Sequence, residues 1–335
     1  MTTAPVGAAV RVRVPASSAN LGPGFDSIGL ALGLWDEYSV VVTDGTGLRV
    51  HVVGEGAADV PNDATHLMHR SMVSGFAQLG AAIPADLDLL AHNGIPHGRG
   101  LGSSASAIVA GVVAAHALCA LADAPGLPVG AAVPVDLGLV SDRSSELEGH
   151  PDNASASVYG GMTLSWIVDP GQAGSGEGRP HHAGTTPSRT GTVRIDIHPE
   201  VTAVVLVPSS TLPTSLARAV LPSVVAHREA AQNAGRSALL IEAVTRRPDL
   251  LLPATRDWLH QEARRASFVG SMAVVDALRA EGHAAVISGA GPSVLVLSTH
   301  DRAADVVVPP ALAGDTQWQR LEPGIPVSGV EVTRH

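Results

Sequence analysis

Residues 96–106 read Pro-His-Gly-Arg-Gly-Leu-Gly-Ser-Ser-Ala-Ser, between the short apolar run Leu87–Ala91 and the long alanine-rich run Ser103–Leu121. Glycines at 98, 100 and 102 allow tight turning and close approach of backbone to a ligand, with no Cβ in the way. A helix starting at Ser103 offers unpaired N–H groups and the positive end of its dipole, which together suit an anion. Ser103 and Ser104 add hydroxyls, either for capping or for a Mg²⁺–phosphate complex. Three readings compete for the segment. A Walker A loop needs a Lys, and the chain has none: all 21 basic residues are Arg. Gly100-x-Gly102-x-x-Ala105 matches the loose dinucleotide fingerprint, but Asp123, near the spacing of the ribose-binding acid, follows a continuous helix rather than a second strand. The third reading is a glycine-rich connector with ordinary Ser caps, and the segment alone does not separate it from a phosphate cradle.

Outward from this loop, 335 residues provide for two ordinary domains. Apolar residues make up 45% of the chain and aromatic ones 3%, so Ala, Val, Leu and Gly must fill the core by close packing of helices on sheets. The absence of Lys excludes Schiff-base chemistry and a Lys general base. A net charge of −10 argues against nucleic acid as a partner, so an anionic ligand must be held by local dipoles, a few Arg side chains and a metal. One cysteine, Cys119, rules out an intramolecular disulfide and fits a reducing cytoplasm. The opening MTTAPVGAAVRVRV lacks a signal-peptide pattern. Ala105–Ala122 carries Ser106 and His116 and reads as a buried helix, so no membrane partner is expected. The 15 His residues contain no HExxH pattern, which argues against a catalytic zinc.

Val10–Val14 alternates as a half-exposed strand, and Pro15 opens a Ser/Asn/Gly-rich stretch to Gly24 that reads as a loop. Tyr38–Thr43 and Gly47–Val53 read as strands around an Asp44-Gly45 turn, with a helix at Thr65–Leu79 and a strand at Leu87–Ala91. Helices follow at Asp136–His150 and Asp152–Tyr159, then a strand at Met162–Val168. Residues 171–193 are dense in Gly, Pro, Ser and Thr and read as a flexible connector between an N-terminal domain, 1–170, and a C-terminal domain, 194–335. The second half offers a strand at Val201–Val207 and helices at Thr214–Leu221, Ser223–Ala243 and Ser271–Ala280. Its hairpin Ala284–Leu297 is broken by Gly289-Ala-Gly-Pro292. Strands and helices mix without strict βαβ alternation, so the fold class is α+β.

Further segments carry a resemblance. Pro15–Asp26, continuing to Leu32, resembles the N-terminal motif of homoserine kinases in the GHMP kinase superfamily. Gly100–Ala105 resembles that superfamily's second, ATP-binding motif, and Ser288–Ser293 its third. Glu148-Gly-His-Pro-Asp-Asn153 with Tyr159-Gly-Gly161 resembles the homoserine kinases in particular. The resemblance runs from about residue 10 to 300 in consistent order. It implies an N-terminal domain like ribosomal protein S5 domain 2, a ferredoxin-like C-terminal domain and an active site between them. It also implies transfer of phosphate from ATP, with Mg²⁺, to the hydroxyl of L-homoserine, a step towards threonine. Relatives are commonly dimers, so a homodimer is the corresponding expectation. Alternatives are a GHMP kinase for another small alcohol and a dinucleotide-dependent oxidoreductase built on Gly100–Ala105.

By the same resemblance, residues Pro96, His97, Gly98, Arg99, Gly100, Leu101, Gly102, Ser103, Ser104, Ala105 and Ser106 form the ATP loop. Asn20 and Asp26 contact the substrate, Asp26 at the ammonium, although turn chemistry would use the same residue types. His150 and Asn153 line the substrate, and Asn153 matches the position where mevalonate-type members carry a catalytic Asp. Thr214 would sit near the transferred phosphoryl group and Arg218, one helical turn on, at the substrate carboxylate. Arg264 is the second substrate-binding Arg, with Arg265 its neighbour and rival, and Gly289 supplies backbone from the third motif. Ser104 and Glu148 would hold Mg²⁺, with Glu146 the alternative carboxylate. Where many relatives place an Asn at the adenine, this chain has His66. Catalysis is expected to rest on alignment and electrostatics, with a proton-accepting role for Asp26 left open.

Overall fold

The computed structural model describes residues 4–45, 47–168, 190–212, 214–314 and 316–335, excluding the side chains of Thr214 and Ser215. The N-terminal half comprises β1 (Ala9–Asn20), β2 (Gly24–Val42), β3 (Leu48–Gly54), α1 (Leu67–Gln78), β4 (Leu87–Asn93), α2 (Ser103–Asp123), α3 (Leu137–Glu148), α4 (Pro151–Tyr159), β5 (Met162–Ile167) and β6 (Thr190–Ile195). The C-terminal half comprises β7 (Val201–Pro208), α5 (Thr214–Ala219), α6 (His227–Thr245), α7 (Leu251–Ala254), α8 (Gln261–Arg264), α9 (Val269–Ala280), β8 (Ala284–Ile287), β9 (Val294–Thr299), β10 (Trp318–Leu321) and finally β11 (Glu331–Arg334).

Two sheets organise these elements. The first runs β11-β1-β2-β4-β3, with β5 added to β2 and β6 to β5. Its inner face, including Val10, Val12, Val14 and Val40, is covered by α2, which is apolar on nearly every side and therefore central. α2 is long and apolar enough to cross a bilayer, but it is mostly buried as the core helix of this layer. The second sheet runs β10-β7-β9-β8, all antiparallel, which is the strand order of a ferredoxin-like domain. A core cluster joins the halves: Leu21, Ile28, Leu30, Leu101 and Met162 from the first pack with Val205, Leu240, Ala254 and Leu295 from the second.

Several sequence expectations change. The Ser/Asn/Gly-rich stretch from Pro15 is strand to Asn20, and a three-residue turn leads directly into β2, which runs 19 residues. Its small residues serve packing rather than turning: Ser17 and Ser18 are fully buried, and the N–H of Ser17 bonds to the Leu101 carbonyl of the phosphate loop at 3.1 Å. The strands on either side of Asp44-Gly45 are not neighbours, because β4 inserts between them, antiparallel to β2 and parallel to β3. The proposed connector lies mostly outside the described residues, but its last four, 190–193, belong to β6 and pair with β5. The chain end also returns to the first sheet, with Val10–Arg13 paired to Glu331–Arg334, so residue 194 does not separate the two sheets. The Ala284–Leu297 hairpin forms with Ala284 opposite Leu297, and Gly289 (φ 55°) and Gly291 (φ 83°) take the left-handed backbone at its tip. α2 is followed by α3 and α4 rather than by a strand parallel to β4, so the dinucleotide-binding arrangement is not built.

Candidate active site

The phosphate loop bridges β4 and α2 and is clamped from both halves. Gly102 caps α2 in the left-handed region (φ 73°), which leaves the helix's first N–H groups without a side-chain cap. A Cβ at Gly102 would overlap Ser17 Oγ, and one at Gly100 would overlap the Ser288 carbonyl, so neither position has room for a side chain. Ser288 Oγ donates to the Gly100 carbonyl at 2.6 Å and lies 2.8 Å from Ser18 Oγ. Arg99 reaches away from the loop to the carbonyls of Pro208 (3.0 Å) and Ser209 (3.1 Å) at the end of β7. The Leu212 N–H returns the contact on the Gly98 carbonyl at 3.0 Å. The third motif thus packs its backbone on the second.

Beside this loop lies a cavity of about 180 Å³. That is below the roughly 300–1,000 Å³ of drug-sized ligand sites and suits a small metabolite. Gly98, Gly100, Leu101, Gly102, Ser103 and Ser104 line it on the loop side. Ser104 Oγ donates to Glu148 Oε1 at 2.7 Å, at the end of α3. Burial pushes the Glu148 carboxyl up from its ordinary value, opposed by the Ser104 bond and the nearby His150. Glu146 instead takes a bond from Arg143 at 2.7 Å and does not line the cavity.

Opposite stand the charged groups. Asp26 is held in the left-handed region (φ 54°), with its N–H on Asn20 Oδ1 at 3.1 Å, while Asn20 Nδ2 donates to the Gly289 carbonyl at 3.1 Å. Arg218 grips both Asp26 oxygens, at 2.7 and 3.2 Å. Burial works against the charge of Arg218, but the Asp26 bond together with the charges of Asp26, Asp152 and Glu148 outweighs it and the pKa is raised. Arg264 is 2% exposed and donates Nε to the Ala217 carbonyl at 2.8 Å, with Nη1 3.3 Å from His260 Nδ1. Burial, followed by the like charge of Arg218, lowers its pKa. His150 Nδ1 lies 2.5 Å from Asp152 Oδ1. Burial opposes protonation of His150, yet the Asp152 bond and charge outweigh it and the pKa is raised. Asp26, His150 and Asp152 bring possible ligand atoms within 4.8 Å of one another, but a cation there would have to displace Arg218.

The residues expected from the sequence therefore converge unevenly. Asn20, Asp26, His150, Asn153, Arg218, Arg264 and Gly289 all line the one cavity. Asp26 and Arg218, expected at opposite charges of a substrate, pair with each other. Arg265 is tied to Glu262 and Asp276, and of the two arginines Arg264 lines the cavity. Pro96, Ala105 and Ser106 are buried supports rather than lining, and Arg99 is a strut. Thr214 begins α5, but its side chain lies outside the described residues. The sequence reading missed Asp152 as a lining residue and Ser288 as a clamp. Asp152 lies inside the His-Pro-Asp-Asn segment, where an acid in the first turn after Pro151 also reads as ordinary helix-end chemistry.

A second cavity of about 300 Å³ shares Gly98, Ser103 and Ser104 with the first and extends over Tyr38, Val60, Pro61, Leu67, Asn93, His97 and Ala107. His66 lines it, 3% exposed, with Nδ1 buried and unpartnered.

The description of GHMP kinases N terminal domain matches residues 67–161, and that of GHMP kinases C terminal matches 227–308. The chain is 46% identical to a homoserine kinase of Streptomyces coelicolor, over 97% of this chain and 94% of that protein. It is 47% identical to a homoserine kinase of Rhodococcus erythropolis, over 89% of this chain and 88% of that protein. Among solved structures, a homoserine kinase from Cytophaga hutchinsonii superposes with a TM-score of 0.75 over 97% of both chains, at 24% identity, which speaks to the fold alone. With near-complete coverage at this identity, the chain belongs to the homoserine kinases of the GHMP kinase superfamily.

Proposed function

We propose that the protein transfers the γ-phosphoryl group of ATP to the side-chain hydroxyl of L-homoserine, giving ADP and O-phospho-L-homoserine. One observation carries this reading: an uncapped helix N-terminus, a carboxylate beside its hydroxyl and an Asp–Arg pair face one small cavity. The α2 N-terminus and the glycine backbone would take the phosphates, while the adjoining cavity under His66 would take the base. Arg218 and Arg264 would meet the substrate carboxylate, for which a guanidinium fork is suited. Asp26 would meet the ammonium, so the amino acid enters by dividing the ion pair, one charge to each partner.

Mg²⁺ fits Ser104 and Glu148: both offer hard oxygens, and burial raises the Glu148 pKa, a cost to its charge that a bound cation would offset. When bound it would neutralise charge on the phosphates. The chain's own residues supply alignment. Both Asp26 oxygens are engaged by Arg218 before substrate enters, and Asn153, whose Oδ1 accepts from Ser17 Oγ at 3.0 Å, is an amide and not a base. The hydroxyl proton would then pass to an oxygen of the transferred phosphoryl group as the new O–P bond forms and the bond to the ADP oxygen breaks, and rate derives from orientation and electrostatics. A cytoplasmic setting accords with the single half-buried thiol of Cys119.

A coupled ADP-release assay across L-homoserine, L-threonine, mevalonate and galactose tests the proposal. Turnover should be greatest with homoserine. No ADP above background with homoserine and Mg²⁺ would overturn it.

A further inference from the structure

We propose that Phe25 is a positioning residue for the substrate carboxylate, an aromatic platform that holds the guanidinium groups of Arg218 and Arg264 side by side. The proposal rests on the reading above that these two arginines bind the carboxylate.

Two guanidinium groups facing one small cavity repel each other, and the described neighbours of Arg264 do not include a paired carboxylate. Asp26 pairs with Arg218 and offsets part of that repulsion, but Arg264 needs a further support that is not an anion. Phe25 offers it. The Arg218 guanidinium carbon lies 5.8 Å from the ring centroid and that of Arg264 lies 5.6 Å from it, both within reach of an aromatic quadrupole. Without substrate, Arg218 also leans on Asp26, but that bond has to be shared once an ammonium enters, whereas the ring contact persists.

The platform is also braced by a second ring. His260 stacks against it, centroids 5.2 Å apart and planes tilted by 31°. That imidazole is fixed through Nε2, 2.8 Å from the Gly22 carbonyl, and through Nδ1, 3.3 Å from Arg264. The Asp257 carboxylate accepts from the backbone N–H groups of Leu259, His260 and Gln261, which sets the start of α8 and with it both His260 and Arg264. On the chain side, the next residue, Asp26, is fixed by Asn20. Phe25 is therefore held from two sides, and an aromatic face fixed in this way lets two cations converge on one carboxylate.

The test compares Phe25→Leu, which keeps bulk and loses the π face, with Phe25→Tyr, which keeps both. Steady-state kinetics are measured for homoserine and ATP. 3-Aminopropan-1-ol, the same amine and alcohol without the carboxylate, is measured as a competitor. Phe25→Leu should raise the homoserine KM about five- to tenfold, with kcat and the ATP KM held, and leave the competitor's Ki unchanged; Phe25→Tyr should restore the homoserine KM. An unchanged homoserine KM in Phe25→Leu overturns the platform, as does an equal loss for homoserine and the competitor, or a Phe25→Tyr variant as impaired as Phe25→Leu. Arg218→Ala and Arg264→Ala separate this from the parent reading. If they too leave the homoserine KM unchanged, the carboxylate assignment fails; if they raise it while Phe25→Leu does not, only the platform fails.

Discussion

Replacing Gly100 with Ala tests whether the phosphate loop is positioned by the third motif. Gly100 has φ 72°, where an L side chain costs about 1–2 kcal/mol. The added Cβ would overlap the Ser288 carbonyl and sit 2.8 Å from Gly291 N and 3.0 Å from Gly291 O, all backbone atoms that cannot swing aside. Ordinary contact begins near 3.4 Å, so the two loops must separate by about 0.6 Å from Gly291 alone and by more at Ser288. That separation stretches the 2.6 Å bond from Ser288 Oγ to the Gly100 carbonyl, worth about 1 kcal/mol. Together the loss comes to roughly 2–3 kcal/mol of stability. A displacement approaching 1 Å in groups that align reactants can cost on the order of 100-fold in rate. The assay pairs urea unfolding with kcat/KM for ATP, using Gly126→Ala as control because its Cβ meets nothing within 4 Å. Gly100→Ala with the stability and ATP kinetics of Gly126→Ala would refute the clamp.

Three further outcomes follow from the site and core. Glu148→Gln keeps the bond from Ser104 possible but removes the charge, and should raise the Mg²⁺ concentration for half-maximal activity at least about tenfold; an unchanged Mg²⁺ titration removes Glu148 as a ligand. His66→Ala should raise the ATP KM several-fold and leave the homoserine KM alone, since His66 lines only the second cavity; a change confined to homoserine contradicts the base pocket. His116 is buried in α2 beside Gln78, and burial lowers its pKa to about 4, so the unfolded chain, titrating near 6.5, binds the proton first on acidification. Its contribution to stability is intact above pH 6.5 and lost as the pH falls towards 4, by up to about 3 kcal/mol. Urea melts at pH 7 and pH 4.5 should therefore diverge less in His116→Gln than in the parent, and equal divergence rejects the assignment.

What the sequence revealed follows from how local each signal is. The glycines of the phosphate loop, the apolar run of α2 and the Ala284–Leu297 hairpin are local patterns, and each forms where expected. The strand from Pro15 to Asn20 was hidden because its composition answers to tertiary contact. Small residues are needed where Gly102 and α4 press on it, as in the bonds of Ser157 Oγ to the Pro15 carbonyl (3.1 Å) and to Ser17 Oγ (3.3 Å). The insertion of β4 between β2 and β3, and the return of β11 to β1, leave no mark on spacing. For the site, the resemblance supplied residue identities, whereas pairings such as Arg218 with Asp26 and the preference for Glu148 over Glu146 depend on elements far apart in sequence.

The β1–β2 turn explains why the halves must work together. Asn20 (φ 73°), Leu21 (φ 46°) and Asp26 (φ 54°) are the non-glycine residues with positive φ among those described, and all lie in one short stretch. Asn and Asp tolerate this region, but for Leu21, fully buried, it is costly, of order 1–2 kcal/mol. The second half offsets that cost: Asn233 and Ser237 of α6 donate to the Pro23 carbonyl at 2.8 and 2.7 Å, His260 meets Gly22, and the Gly289 N–H donates to the Ala19 carbonyl at 3.1 Å. None of these partners lies in the sheet that carries the turn. The strained conformation that presents Asn20 and Asp26 to the cavity is therefore a property of the docked pair of halves, and that side of the cavity rests on contacts from both.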